Sequence, residues 1–277
     1  MEAEDGFPLN GLLYTPKGGA SVVVVLVHGK TDTFLGGPSR FAPPLLAAEG
    51  IAAFALNLRV NSLGYLRVDL PFDAFISGER LLNMAGAAWE RLEDGHKDLR
   101  AAVNYLRRLG YERIVIAGHS SGGFYCGDYA GRYQDFSALV LLSPLTTNRH
   151  ALATWFRDEA EAEAARRRAE EMVAQGFGHH LLPLRKWYFA ISAASLLDRM
   201  GERPGWWDDA LRENQRPTLL LYGALEPRAT LWQEKFETVI VAPRKEIAAI
   251  AGSEHMYQGH EHEVVDAILD FMRRHGL

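Results

Sequence analysis

Hydrophobic and polar positions along this chain fall into alternating runs of two kinds. Val22 to Val27 ("VVVVLV") is an unbroken apolar run rich in β-branched residues, the pattern of a strand buried on both faces. "PSRFAPPLLAAEG" then reads as a helix ended by Gly50, and "IAAFALNL" (Ile51 to Leu58) as the next strand. From about Trp89 to Leu109 the apolar positions recur at helical spacing, with Leu92, Leu99, Ala102, Val103 and Leu106 on one stripe and Gly110 as the stop. "RIVIAG" (Arg113 to Gly118) predicts a short buried strand, Ser121 to Tyr133 a helix, and "SALVLLSP" (Ser137 to Pro144) another strand. Pro217 to Gly223 and Glu246 to Gly252 supply two more, and a last helix from about Glu261 to Arg274 carries Val264, Val265, Ile268, Leu269 and Met272 on one face. This βα alternation predicts an α/β fold, a mostly parallel sheet covered by helices on both sides.

About seventy residues separate "ALVLLSP" from "PTLLLYG", too many for a plain crossover. The chain therefore divides into a core of residues 1–144 and 215–277 and a helical cap, 145–214, inserted after the strand at 138–143. Arg157 to Gly176 is a charged, alanine-rich helix whose i,i+4 ion pairs suit a solvated face. Aromatic residues follow at Trp187, Tyr188, Phe189, Trp206 and Trp207. Trp187, Trp206 and Trp207 are candidates to line a substrate pocket; the same residues would serve equally to anchor the cap.

Composition narrows the function classes. With 277 residues and 48% hydrophobic content the chain has enough apolar material for one large core plus an insertion. A formal net charge of −5 argues against a nucleic-acid footprint. "SVVVVLVHG" is far too short for a membrane span, and "MEAEDGFPLN" lacks the basic and apolar regions of a signal peptide. One cysteine, Cys126, allows no internal disulfide, so a cytoplasmic location is expected.

The chemistry starts at "IAGHSSGG", Ile116 to Gly123. Gly118, Ser120 and Gly122 fit G-x-S-x-G, in which a strand turns sharply into a helix with a serine at the apex. A glycine-rich turn with a capping serine would look similar, so the other parts of a site must be found elsewhere. Serine needs a base within hydrogen-bond reach and the base needs an orienting acid, expected in the chain order serine, acid, histidine. Glu226 stands just past the strand "LLLYG", and His255 just past "EIAAIAG". Three strand ends thus present a serine, a carboxylate and a histidine in the required order, at the sheet edge where such folds bind ligands.

The chain resembles the α/β-hydrolase superfamily over nearly its whole length. The resemblance is carried by "VHG" after the first strong strand, "GHSSGG" at the elbow, the carboxylate in "YGALEP" and "GSEHMYQGHEHEVVDAILDFM" near the end. It implies an α/β-hydrolase fold, His255 as base and Glu226 as acid, although aspartate is commoner at that position. Asp198, Asp208 and Asp209 in the insertion would compete for the role if the fold differed. An oxyanion hole needs two backbone N–H donors. Ser121, the residue after the nucleophile, is one; the resemblance implies that the loop after "HG" supplies the other, with Lys30 ahead of Thr31. His28 is expected to support that loop, and His119 to be a neighbour of the nucleophile rather than its base.

The expected activity is acyl transfer to water: a serine hydrolase, esterase- or lipase-like, acting on the carboxylic ester of a small organic substrate. Thioesters, lactones and amides suit the same machinery, and some proteins of this fold bind ligands without turnover. His255, His260 and His262 follow no metal-ligand spacing, and no metal or other cofactor is expected. His179 and His180 fall in the insertion, and Cys126 in the helix after the elbow reads as packing. A histidine base predicts activity rising with pH through about 6–7.

Overall fold

The apolar runs assemble into one seven-stranded sheet: Asn10–Tyr14 (β1), Val22–Val27 (β2), Ala52–Asn57 (β3), Arg113–His119 (β4), Ala138–Leu142 (β5), Thr218–Gly223 (β6) and Lys245–Ile250 (β7). Their spatial order is β1-β3-β2-β4-β5-β6-β7, and every pairing is parallel except that of β1, which runs antiparallel to β3 at the edge. The computed structural model describes residues 1–66, 84–145, 155–184, 190–201, 206–227, 229–240 and 245–277.

Side chains alternate across the strands, so each sheet face builds its own core. Val23, Val25, Val27, Phe54, Leu56, Ile114, Ile116, Leu139 and Leu141 share one side with Leu99, Val103 and Leu106 of helix Gly95–Arg108 and with Phe124 and Tyr129 of helix Ser121–Arg132. Val22, Val24, Leu26, Val115, Val140, Leu219 and Leu221 face the other way, against Leu46 of helix Gly37–Ala48 and Val264, Ile268 and Phe271 of helix Glu261–Arg274. The expected α/β-hydrolase arrangement, a mostly parallel sheet flanked by helices, is what the chain adopts.

Two departures from the sequence pattern matter for the site. The helix expected from Trp89 begins only at Gly95; Ala87–Trp89 and Leu92–Asp94 are single 3₁₀ turns. The intervening backbone and side chains are committed elsewhere: Leu92 N–H donates to Asp198 Oδ2 at 2.8 Å, and Glu90 is buried among other partners. The inserted region also splits in two. Helix Glu159–Ala174, a short hairpin (Leu181–Pro183 with Ala190–Ser192) and helix Ala193–Met200 gather a small core of Trp155, Phe156, Ala169, Met172, Ile191 and Leu196. Helix Trp206–Glu213 packs instead on helix Ser121–Arg132. Gly127 and Gly131, one turn apart, leave the groove it fills: a Cβ at Gly127 would lie 2.3 Å from the Trp207 ring nitrogen, and one at Gly131 2.4 Å from Ala210 Cα.

Candidate active site

β4 passes into helix Ser121–Arg132 through a single residue. Ser120 has φ 54° and ψ −119°, a conformation that costs a non-glycine residue energy and persists only where its surroundings hold it. Those surroundings explain the flanking glycines. A Cβ at Gly118 would lie 2.3 Å from the Gly122 carbonyl oxygen, and one at Gly122 2.5 Å from the carbonyl oxygens of both Val27 and His28. Ser120 N–H donates to Leu142 O at 2.9 Å, and Ser120 O accepts from Leu145 N–H at 2.8 Å, which ties the turn to the end of β5. The strand, the glycines and the serine are thus one feature: the missing side chains at Gly118 and Gly122 let Ser120 stand at the end of β4.

Ser121 opens the helix, so its N–H has no acceptor within the helix. The loop after β2 crosses directly above, with a Cβ at Gly29 only 3.3 Å from that of Ser120. Lys30 follows, then Thr31 at φ 61°. His28 braces this loop. Its Nδ1 donates to Gly29 O at 2.8 Å while Nε2 accepts from Leu58 N–H at 3.2 Å, and burial lowers its pKa, which favours the neutral ring. Lys30 turns its side chain inward to Glu90 rather than leaving it in solvent.

Glu226 and His255 meet. His255 Nδ1 donates to Glu226 Oε2 at 2.8 Å, which leaves Nε2 as the acceptor nitrogen. The His255 ring is partly exposed and the Glu226 carboxylate buried. Glu226 Oε1 accepts from Gly223 N–H at 3.0 Å and from the Ser143 hydroxyl. Ser143 Oγ lies 2.6 Å from Tyr257 OH, which also reaches Leu221 O at 3.0 Å. His119 Nε2 donates to the backbone carbonyl of His255 at 2.9 Å, and the two rings lie 4.7 Å apart. Burial, with the neighbouring His255, lowers His119 to about 3, so it stays neutral and acts as a brace. Among the described residues no hydrogen bond joins Ser120 Oγ to His255, a contact that commonly tightens only with substrate bound.

The other candidates sort as follows. Asp198 accepts from Leu92 N–H, and Asp209 pairs with Arg212. Trp207 is buried in the core against Phe236, its ring centroid 6.0 Å away, and this packing anchors its helix. Trp206 starts the same helix, and Trp187 lies outside the described residues. His260 pairs with Glu263, and His179 and His180 are exposed. Among the described residues no three His, Cys, Asp or Glu side chains gather to hold a metal ion. Cys126 is buried, and burial pushes its thiol pKa up. Among the described residues no helix is long and apolar enough to cross a membrane.

The sequence pattern did not single out Ser143, Tyr257 or Glu90. Ser143 falls inside the strand pattern "SALVLLSP" with nothing to set it apart. Tyr257, two residues past His255, carried no signal beyond that proximity. Glu90 was absorbed into the apparent start of a helix.

A mostly parallel sheet with a strained serine at the end of one strand, and an imidazole bonded to a buried carboxylate on the loops after two others, is a pattern shared by a class of hydrolytic folds. A model described as the alpha/beta hydrolase family matches residues 24–267, and the chain belongs to that family. Human "Lipase member M" is 28% identical over 179 residues, covering 54% of this chain but only 37% of that protein, so the chain spans well under half of this relative's length. Among solved structures, Est1E from Butyrivibrio proteoclasticus with ferulic acid bound aligns with a TM-score of 0.66 at 18% identity, covering 98% of this chain and 96% of that one. A monoacylglycerol lipase from Paleococcus ferrophilus aligns with a TM-score of 0.62 at 18% identity, covering 97% and 100%. At these identities the structural likeness is one of fold.

Proposed function

We propose that this protein is a serine hydrolase that cleaves carboxylic esters of small organic molecules through an acyl-enzyme. The observation that carries the reading is the 2.8 Å bond from His255 Nδ1 to Glu226 Oε2, at the sheet edge that bears Ser120 on its strained turn. Glu226 fixes the imidazole tautomer and stabilises the imidazolium. His255 Nε2 takes the Ser120 proton as Oγ attacks the ester carbonyl. Backbone N–H groups of Ser121 and Lys30 stabilise the tetrahedral oxyanion. His255 then protonates the departing alkoxide, and on deacylation it activates the water that releases the acid. The family relatives named a lipase, a monoacylglycerol lipase and a ferulic acid-binding Est1E support an acyl substrate. Leu35, Leu225 and Met256, exposed on the loops after β2, β6 and β7, give the site loops apolar side chains that suit one. A lone buried cysteine suits a reducing compartment such as the cytoplasm.

A fluorophosphonate probe is expected to label Ser120, and Ser120→Ala to lower kcat on nitrophenyl esters by roughly 10³-fold or more without unfolding the chain. Labelling at Ser121 instead, or activity that survives Ser120→Ala, overturns the assignment. Faster turnover of thioester or lactone panels than of matched esters would keep the triad and change the bond cleaved.

A further inference from the structure

One buried carboxylate joins three parts of the fold. Glu90 lies between the two 3₁₀ turns that precede helix Gly95–Arg108. Its Oε1 accepts from Lys30 Nζ, on the loop after β2, and from Arg199 Nε at 2.7 Å, on helix Ala193–Met200. Its Oε2 accepts from Arg199 Nη2 at 2.9 Å and from Tyr125 OH at 3.0 Å, on the helix that Ser121 opens. Neighbours of Glu90 bind the same inserted region. Trp89 Nε1 donates to His179 O at 2.9 Å, Arg91 Nη1 to Ala194 O at 3.1 Å and Leu92 N–H to Asp198 Oδ2 at 2.8 Å. Glu90 and Arg199 are buried, so removing either charge strands the other in a low-dielectric interior.

We propose that Glu90 is a positioning residue for the reaction: it holds Lys30, and with it the backbone N–H aimed at the oxyanion, and the Arg199–Glu90–Lys30 chain makes that hold depend on the seating of the inserted region. The inference rests on the oxyanion role assigned to Lys30 above. The geometry requires such a hold. Thr31, the next residue, sits at φ 61°, a strained conformation on a short loop, and an oxyanion donor must stay within a few tenths of an ångström of its place. Titration adds a handle. Burial lowers Lys30 to about 8; the Glu90 charge opposes that fall and the Arg199 charge adds to it, and the Trp155 ring 5.2 Å from Nζ and Ala87 O 3.4 Å away are among its other neighbours. Burial also acts to raise Glu90, but Arg199 and Lys30 outweigh it and hold it at about 2, so Lys30 is the member that loses its charge first as pH rises.

The test compares kcat, KM and melting temperature on nitrophenyl acetate for Glu90→Gln, Lys30→Met, Lys30→Arg, the Glu90→Gln/Lys30→Met double variant and Ser120→Ala. Active sites are counted by fluorophosphonate titration. Glu90→Gln and Lys30→Met should each lower kcat per titrated site about tenfold or more with KM within about threefold, as expected for a donor misplaced in the transition state. The double variant should be no worse than the poorer single one, and Lys30→Arg should restore most of the rate. Wild-type kcat/KM should fall above about pH 8 as Lys30 loses its proton, and this limb should vanish in Lys30→Arg, whose guanidinium stays charged. If Glu90→Gln does not fold, Lys30→Met and the wild-type alkaline limb carry the test. An unchanged kcat per titrated site in Lys30→Met with Ser120→Ala inactive, or a wild-type profile flat from pH 7 to 10, overturns the positioning role alone. Activity that survives Ser120→Ala removes both this role and the triad beneath it.

Discussion

Gly122→Ala adds one methyl group at the point where helix Ser121–Arg132 meets the loop after β2. Its Cβ would lie 2.5 Å from the carbonyl oxygens of both Val27 and His28. Ordinary C···O contacts begin near 3.3 Å, so the two backbones must part by about 0.8 Å. Neither side can give by a rotamer change, because both obstacles are main chain. One of them ends a strand paired on both edges, and the other belongs to the loop braced by His28. Overpacking of this kind costs about 1–3 kcal/mol, which for a domain of this size lowers the melting temperature by roughly 2–10 °C. The separation also opens the space between the Ser121 and Lys30 N–H groups, and a displacement near 1 Å at such a site costs about 10²-fold in rate. The expected result is a folded variant with kcat on nitrophenyl acetate reduced about 10²-fold, scored by circular-dichroism melting and initial rates. Gly18→Ala is the control: a Cβ there meets nothing within 4 Å, so rate and melting temperature should match wild type. A Gly122→Ala enzyme with wild-type kcat and melting temperature would refute the packing account of the elbow.

Glu226→Gln should lower kcat by roughly 10²- to 10⁴-fold and Glu226→Asp by an intermediate amount, because the first removes the charge that holds the imidazole and the second shortens its reach. Ser143→Ala removes one of two hydrogen bonds to Glu226 Oε1 and should cost kcat a few-fold to tenfold, with near-wild-type KM; equal rates in Ser143→Ala and wild type would make that hydroxyl a packing feature only. Folding should weaken in mild acid: His119, held at about 3 in the folded chain by burial, takes up a proton only on unfolding once pH drops below about 6.5. Its contribution is therefore complete above that pH and is lost as pH falls, on the order of 1 kcal/mol by pH 5.5, and His28, shifted the same way, adds to the loss. Denaturant melts at pH 7.5 and 5.5 measure it, and an unchanged midpoint would contradict the buried neutral state.

The central strands β2 to β6 were legible because they are buried on both faces. A run such as Val22–Val27 can be little else, and these strands alternate their residues between the two cores. β1 escaped notice because "NGLLY" is a half-exposed antiparallel edge of five residues with no such run. Ser120, Glu226 and His255 stood out as candidates because each lies on the turn or loop that follows a strand, where folds of this kind bind ligands. Glu90 was not, since its role comes from partners 60 and 109 residues away rather than from local pattern. Trp207 shows the same limit: its sequence suits a pocket wall and a cap anchor equally, and Gly127, whose missing Cβ makes room for its ring, sits in another helix with no visible reason in sequence.

The glutamate at position 226 has a structural reason in the packing at Gly223. A Cβ there would lie 2.6 Å from Ser253 O and 2.7 Å from Glu254 O, so the strand end before Glu226 touches the backbone of the loop that bears His255. Leu225 N–H also donates to Ser253 O at 2.9 Å. With the two loops this close, a carboxylate has to reach His255 without pushing through them. Glu226 does so by turning back over its own strand: its N–H donates to Gly223 O at 3.1 Å, and its Oε1 accepts from Gly223 N–H at 3.0 Å. The extra methylene is used in that turn, which frees Oε2 for the imidazole and leaves Oε1 for Ser143. An aspartate in the same backbone would have to give up one of these contacts. The intermediate loss predicted for Glu226→Asp is therefore a loss of anchoring as much as of reach, and it should shrink if a second change brings the loop after β6 closer to His255.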